Sequence, residues 1–364
     1  MEGCWFLQNH LRDESEMPPQ GESRVRMGFA GPGVLVKTAA VRSGGVLMTA
    51  VGMAGLLFLW SCRNDEGSGG EEAGWEGGLP RLELPEERGE AGAEPGARGF
   101  LLCREENMLP AGATGRLLMR VTMLDATVRE SEEGKNRLGR VSNRSRQAYG
   151  FEVRSKDELV FECTADTSEQ ERNFDGIVDA GPETVGPMQG EVVRLVRAGE
   201  GWAGRLRSPG EATAGQDEEI RKLEKLFDPR EALAVYGAER REVGEEWEVD
   251  PDSVPGLTGG AQYEGTCRMR FDEVTDFNGL RCARIEGRVD VVGGEGFGVG
   301  SSMEIRFRGS CVIHRSLDYF VNLSEVFTGE MVVTGGRPGE GVSKTVRGPV
   351  TIMRNLTLSL PDGQ

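Results

Sequence analysis

The chain has 364 residues, a formal net charge of −17 and a pI ≈ 4.8. Because nucleic-acid phosphates are bound by basic surfaces, this acidic balance argues against a nucleic-acid partner. With 54 glycines, about twice the usual share of ~7%, and only two histidines, the composition predicts a turn-rich β protein with neither a metal site nor a cofactor.

The first predicted element is an uncharged, mostly apolar segment of twenty residues that ends at Cys62. Lys37 and Arg42 precede it, and a positive flank followed by an apolar stretch is typical of a secretory signal. Because such positive flanks stay inside the cell, the rest of the chain is predicted to face outside the cytoplasm. We therefore interpret residues 1–62 as the signal and membrane segment.

The last residues of this segment predict how the chain is anchored. Leu59, Ser61 and Cys62 match the bacterial lipobox, although Trp60 stands where a small or β-branched residue is usual. The pattern predicts cleavage before Cys62 and lipidation of its thiol, with more than one acyl chain for firm anchoring. In the alternative, the segment stays uncleaved and spans the bilayer, for which about 20 apolar residues suffice. Both readings place the protein in the cell envelope, and Arg63 favours the outer membrane if the cell has one.

Residues 63–100 form an acidic linker rich in glycine and proline. Ten acidic residues lie between Asp65 and Glu94, against two basic ones. A segment with so little apolar surface and so much charge cannot offset the entropy lost on ordering. We predict a disordered tether that holds the following domain away from the membrane.

Alternation of apolar and polar residues extends over residues 101–361, as in the run from Ile305 to Arg308. This period of two is typical of antiparallel sheets with one wet face. For the C-terminal hundred residues it predicts five long strands in an antiparallel meander, with a turn at Asn278-Gly279. A bend is expected at Gly348-Pro349, because the last run is too long to continue straight. The predicted fold class is all-β, a long-stranded curved sheet or partial barrel.

One helical pair, residues 216–236, interrupts the strands. Asp228 is a suitable N-cap for the second helix, and Pro229 suits its first position. The pair separates two β-rich halves, 101–212 and 241–361. The sequence leaves open whether these halves form one domain or two.

A short motif stands at the entrance of the second half. Val243, Gly244 and Trp247 form a VG-x-x-W pattern that resembles uncharacterised β-rich envelope lipoproteins of bacteria. The resemblance covers roughly residues 101–361 and implies an exported β domain. It assigns no catalytic or binding role to any residue.

The cysteines after Cys62 raise the question of disulfides outside the cytoplasm. They are Cys103, Cys163, Cys267, Cys282 and Cys311. A glycine-rich segment, residues 293–298, predicts a turn between two strands. Folding the second strand back on the first brings Cys282 near residues 309–311, so Cys282–Cys311 is the candidate pair. The alternative is that all five are small buried hydrophobic residues. The chain has no C-x-x-C, which argues against a zinc ribbon or a thioredoxin-like redox site.

No catalytic residue is predicted. His314 lies on the polar side of its strand, where a solvent-facing role is expected, and no G-x-S-x-G motif accompanies it. We therefore expect a non-catalytic binding or structural protein of the envelope, whose partner is an envelope protein, a wall polymer or a lipid.

Two alternatives stay open. One is a carrier of apolar ligands, in which the concave sheet at Met303, Ile305 and Phe307 holds an acyl chain. The other is an exported hydrolase, which needs two carboxylates converging in a cleft about 5–10 Å apart.

Overall fold

The computed structural model describes five stretches of the chain: residues 99–132, 134–254, 262–296, 302–337 and 342–361. The predicted signal segment with Cys62, and nearly all of the predicted tether, lie outside these stretches. None of the helices within them is both long and apolar enough to cross a membrane.

The described residues are mostly β-structure, as the alternation predicts. The strands are β1 (Phe100–Leu101), β2 (Thr114–Glu132), β3 (Lys135–Ser155), β4 (Glu158–Phe174), β5 (Ile177–Ala180), β6 (Thr184–Val185), β7 (Val192–Ala198), β8 (Gly201–Leu206), β9 (Arg240–Arg241), β10 (Glu246–Val249), β11 (Gln262–Phe277), β12 (Leu280–Gly296), β13 (Ser302–Ser316), β14 (Asn322–Arg337) and β15 (Val342–Ser359). The α-helices of the described stretches are α1 (Ala214–Leu226) and α2 (Pro229–Tyr236). The five long strands predicted for the C-terminal region are β11 to β15.

Most of these strands belong to one open, curved antiparallel sheet. Its strands run in the order β10, β11, β12, β13, β14, β15, β2, β3, β4, β7 and β8, and β5 and β6 pair with β4. The last strand, β15, pairs with the first long strand, β2. The two predicted halves of the domain are therefore joined in a single sheet.

Register shifts interrupt the long ladders between β15 and β2 and between β2 and β3. In β2 the shift lies beside Asp125, whose backbone φ is 52°. In β15 it lies between Arg347 and Val350, at the predicted Gly348-Pro349 bend. Proline donates no ladder hydrogen bond, and bulges bend and twist the strand that carries them. These shifts thus contribute to the curvature of the sheet.

The sheet has a buried apolar face, here called the inner face, and a charged outer face. On β13, Ile305 and Phe307 are buried, whereas Arg306 and Arg308 between and beyond them are exposed. The period-two prediction is confirmed for this strand. Fully burying side chains of this kind contributes about 1.5–3 kcal/mol each.

The buried side chains form two apolar clusters. The first cluster combines β10 to β15 with parts of β2, β3 and α2, and includes Phe271, Phe307 and Phe327. The second cluster combines parts of β2, β3, β12, β14 and β15 with β4, β7, β8 and α1, and includes Tyr149 and Phe161.

The helices connect the two edge strands, β8 and β10, and both have well-formed N-termini. Thr213 and Gln216 form a capping box at α1. Asp228 accepts the backbone N–H of Arg230, and Pro229 takes the first position of α2, as predicted. The helix pair therefore begins where local chemistry favours it.

Candidate functional site

A line of polar side chains crosses the inner face of the sheet. Strand register places Glu325 of β14 opposite Arg354 of β15, which lies opposite Met119 of β2. Met119 lies opposite Gln147 of β3, and Gln147 lies opposite Asp166 of β4. We call the four polar residues the polar row.

The polar row separates the two apolar clusters. On β14, Phe327 on one side of Glu325 belongs to the first cluster, and Leu323 on the other side belongs to the second. On β15, Ile352 and Leu356 flank Arg354 in the same way. The division of the core thus follows from charged residues at inner-face positions of neighbouring strands. The sequence carries this signal as a break in the apolar parity, but its meaning depends on the register.

At one end of the polar row, Glu325 is only 2% exposed and accepts hydrogen bonds from two side chains. Its carboxylate accepts from Arg354 Nη1 at 3.1 Å and from Asn322 Nδ2 at 2.8 Å. The amide oxygen of Asn322 in turn accepts from the Tyr236 hydroxyl of α2 at 3.0 Å. This network fastens α2 to the sheet, and burial raises the pKa of Tyr236.

Arg315 joins the same network and is 3% exposed. Its Nε donates to the carbonyl of Leu102 at 2.9 Å, and its Nη1 donates to Asn322 Oδ1 at 3.1 Å. The guanidinium also lies against the rings of Tyr236 and Phe320, 5.1 and 4.5 Å from their centroids. Burial lowers the pKa of Arg315.

At the other end of the polar row, one amide bridges two buried carboxylates. Gln147 Nε2 donates to Asp166 Oδ1 at 3.2 Å and to Glu219 Oε2 of α1 at 3.0 Å. Asp166 also accepts the backbone N–H of Met188, and Glu219 accepts from Lys222 Nζ at 2.7 Å. Burial raises the pKa of Asp166, with the Met188 and Gln147 hydrogen bonds acting against the shift.

The hydrolase alternative requires two convergent carboxylates, and among the described residues Asp166 and Glu219 are a buried pair that share one donor. They are 6% and 8% exposed, beneath α1, and their oxygens are occupied by Gln147, Met188 and Lys222. A general acid or base must reach the proton that it transfers to or from a substrate. In this geometry the pair fastens α1 to β3 and β4.

A small cavity of about 190 Å³ lies at the end of the sheet, beside the β11–β12 turn. It is lined by Asn278, Gly279, Leu280, Leu323, Leu356, Leu358 and Leu360. We call it the leucine cavity. The sequence shows Leu356, Leu358 and Leu360 on one parity, but nothing in it indicates that the turn at Asn278 closes over them.

The concave face predicted to hold an acyl chain is filled where the prediction placed it. Met303, Ile305 and Phe307 are 2%, 5% and 0% exposed, and all three belong to the first apolar cluster. Side chains of the protein therefore occupy this part of the inner face. The leucine cavity, which is partly open and is lined by five leucines and by the Asn278-Gly279 turn, is another opening among the described residues.

On the outer face, charged residues pair across neighbouring strands, as expected. Arg347 contacts Glu330 through two hydrogen bonds of 3.0 and 2.9 Å, and Asp290 lies 3.6 Å from both Arg306 and Arg308. The hydrogen bond from Arg347 lowers the pKa of Glu330. Exposed pairs of this kind contribute little stability, with a median of about 0–1 kcal/mol.

The predicted disulfide between Cys282 and Cys311 is not formed, and both thiols are free. Register places Cys282 opposite Ser316 and Cys311 opposite Gly287, five positions further along β12. At about 3.3 Å per residue, this offset exceeds the ~7 Å Cα separation that a bridge tolerates. Cys103, Cys163 and Cys267 are free as well. Burial raises the pKa of Cys267 and of Cys282 to about 12, which keeps these thiols protonated and unreactive.

His314 lies on the charged side of β13, as predicted, but it is half-buried. Its ring stacks on Phe277 with centroids 4.3 Å apart. Burial, followed by the positive charge of Arg284, lowers the pKa of His314. In the described stretches, no three histidine, cysteine or carboxylate side chains cluster as metal ligands.

The VG-x-x-W residues form the entrance to β10. Val243 is exposed, Gly244 has a φ of 91°, and Trp247 is buried, with its indole donating to the carbonyl of Val235 at 2.8 Å. The motif thus joins the sheet to α2. Membership in the envelope lipoproteins that share the pattern stays a prediction.

Comparisons with known proteins establish no family. No family model and no curated protein matches the chain. Among solved structures, lipovitellin, solved to describe its lipid–protein interactions, aligns at 9% identity and a TM-score of 0.35. The alignment covers 70% of this chain but 26% of the lipovitellin chain.

Two further structures align at still lower TM-scores. A DUF1329 family protein from Desulfovibrio piger ATCC 29098 aligns at 10% identity and a TM-score of 0.14, over 70% of this chain and 88% of that one. The COG4313 outer membrane channel from Pseudomonas putida F1 aligns at 9% identity and 0.19, over 74% of this chain and 100% of that one. Scores at this level transfer neither fold nor function to this chain.

Proposed function

We propose that this chain is a membrane-anchored lipoprotein of the cell envelope, whose β domain binds a partner and does not catalyse a reaction. The observation that supports a non-catalytic role is the polar row. Its two carboxylates, its arginine and its glutamine are hydrogen-bonded to one another or to a helix, so they hold the fold together. The predicted signal, Cys62 and the acidic tether support a position outside the cytoplasm.

The anchor is tested by intact-mass measurement of the full chain extracted from membranes. The expected mature protein begins at Cys62 and carries a diacylglycerol, and the Cys62→Ser variant carries none. Cys4→Ser is the matched control, because Cys4 precedes the apolar segment and should not affect lipidation. An unmodified chain in the cytosol, with its first sixty residues attached, would contradict the proposal.

The binding role is tested with the full chain against envelope components. Saturable binding to a solubilised envelope protein, to wall fragments or to lipid vesicles is the expected result. Turnover of an envelope polymer that disappears in the Asp166→Asn and Glu219→Gln variants would instead favour the hydrolase alternative.

A second candidate, binding of an apolar ligand, is favoured by the leucine cavity. A cavity of about 150 Å³ that is wholly apolar is large enough to take up a benzene-sized group. The leucine cavity measures about 190 Å³, is partly open, and is lined by five leucines and by the Asn278-Gly279 turn. Pockets that enclose a whole small ligand measure about 300–1,000 Å³, so the leucine cavity fits part of an acyl chain. The expected observation is lipid that co-purifies with the full chain and is reduced when Leu358→Phe narrows the cavity.

A further inference from the structure

Arg315 is a buried cation whose hydrogen-bonding capacity is only partly used. A guanidinium has five N–H donors. In the structure, Nε and Nη1 have acceptors, and Nη2 has none among the described residues. The charge of the buried Glu325 acts on Arg315, but its carboxylate is hydrogen-bonded to Arg354 and Asn322 and forms no salt bridge with Arg315.

Burying Arg315 in this way destabilises the fold if the residue has only a structural role. A buried charge without an ionic partner costs several kcal/mol, which aromatic rings offset only in part. The rings of Tyr236 and Phe320 hold the guanidinium in place but accept none of the Nη2 protons in the observed geometry. The planar N–H fork of arginine matches carboxylate and phosphate oxygens.

Two residues of the cavity lining are chain neighbours of residues that are hydrogen-bonded to Arg315 or to the strand end that carries it. Asn322 accepts a hydrogen bond from Arg315, and the next residue, Leu323, lines the cavity. Leu317, two residues after Arg315, donates its backbone N–H to the carbonyl of Arg281 on the neighbouring strand. Leu280, the residue before Arg281, lines the cavity.

We propose that Arg315 binds the carboxylate head of a single-chain amphiphile whose apolar tail enters the leucine cavity. This inference rests on the second candidate function, apolar-ligand binding, and specifies its ligand class. The head group takes the Nη2 protons and replaces the carbonyl of Leu102. That carbonyl belongs to the segment from Gly99 to Asn107, which begins where the predicted tether ends.

The test uses the full chain in phosphatidylcholine nanodiscs and radiolabelled dodecanoate, with binding to empty nanodiscs subtracted. Arg315→Met is expected to weaken dodecanoate binding at least about tenfold, the loss of one charged hydrogen-bonding partner. Arg308→Met is the matched control, because Arg308 is 76% exposed on the outer face, and it should bind as the unmodified chain does. Dodecanol, with the same tail and no charge, should bind more weakly than dodecanoate.

Two variants keep the test decisive if Arg315→Met does not fold. Arg315→Lys keeps the charge but lacks the planar fork, so it is expected to give intermediate affinity. Leu358→Phe leaves Arg315 unchanged and should weaken the binding of dodecanoate.

The outcomes separate this inference from the function on which it rests. Equal binding of dodecanol and dodecanoate, lost only in Leu358→Phe, would overturn the role of Arg315 while apolar-ligand binding stands. No saturable binding of either probe would overturn both. Inorganic phosphate that displaces dodecanoate at equal concentration would show a site for free anions and overturn the amphiphile class.

Discussion

Trp247 and Val235 join one edge of the sheet to a helix. The indole of Trp247 in β10 donates a 2.8 Å hydrogen bond to the carbonyl of Val235 in α2. The other edge repeats the arrangement, since Trp202 in β8 donates to the carbonyl of Phe227, at the end of α1, at 2.9 Å. Unpaired edge strands can pair with other chains, and covering them with helices prevents this. The helix pair is therefore the closing element of the open sheet.

Replacing either tryptophan by phenylalanine should destabilise the domain by about 1–2 kcal/mol, because a buried carbonyl loses its donor. The variants are Trp202→Phe and Trp247→Phe, measured by urea unfolding. Since the two side chains belong to different apolar clusters, the double variant should lose the sum to within about 0.5 kcal/mol. If the double variant is no less stable than one of the single variants, the two tryptophans do not stabilise the two edges of the sheet independently.

Two facing glycines allow β13 and β14 to approach closely. Gly309 lies opposite Gly329, and a Cβ added to either would come within 2.7 Å of the other's Cα. Gly309→Ala should therefore destabilise the domain by about 1–3 kcal/mol, as overpacking does. Gly150 of β3 has no atom within 4 Å of such a Cβ, so Gly150→Ala is the control and should be neutral or slightly stabilising. Both variants are measured by thermal unfolding. If they lose the same stability, the loss comes from the changed backbone freedom and not from a clash between the two strands.

The fold was predictable wherever the signal is local. Alternation of apolar and polar residues predicts β11 to β15, and Asn278-Gly279 predicts their first turn, where both residues have positive φ. Asp228 and Pro229 predict the start of α2 for the same reason, since a cap and its helix are adjacent in the chain.

The candidate site was not predictable, because it depends on register between distant strands. Glu325 and Asp166 join one line only after β15 pairs with β2, a contact that no local pattern specifies. The predicted Cys282–Cys311 bridge was wrong for a related reason. A shift of a few residues in the β12–β13 pairing moves Cys282 opposite Ser316.

Removing the amide of Gln147 should destabilise the domain through two carboxylates at once. Gln147→Leu leaves Asp166 and Glu219 without their shared donor, which predicts a loss of about 1–3 kcal/mol in urea unfolding. The pKa of Asp166 is raised in the fold, so the protonated form is favoured there and stability increases as the pH falls through that value. The Gln147 hydrogen bond holds this pKa down, so without the amide the increase should begin at a higher pH and be larger in total.

The control for this prediction is Gln262→Leu, which replaces an exposed glutamine of β11. It should change stability by less than about 0.5 kcal/mol, as surface substitutions usually do. A Gln147→Leu variant as stable as this control, with the same pH dependence, would contradict a fastening role for the polar row.

His314 should make the domain less stable as the pH falls below about 6.5, the ordinary pKa of histidine. Its folded pKa is lowered, so the unfolded chain binds the proton more tightly. The stability is fully present above the unfolded pKa, decreases as the pH falls from there, and levels off below the folded pKa. His314→Phe keeps a ring against Phe277 and removes the titration, so its unfolding free energy should vary less over this range. If His314→Phe retains the pH dependence of the unmodified chain, the acid sensitivity arises from carboxylates and the half-buried imidazole does not contribute.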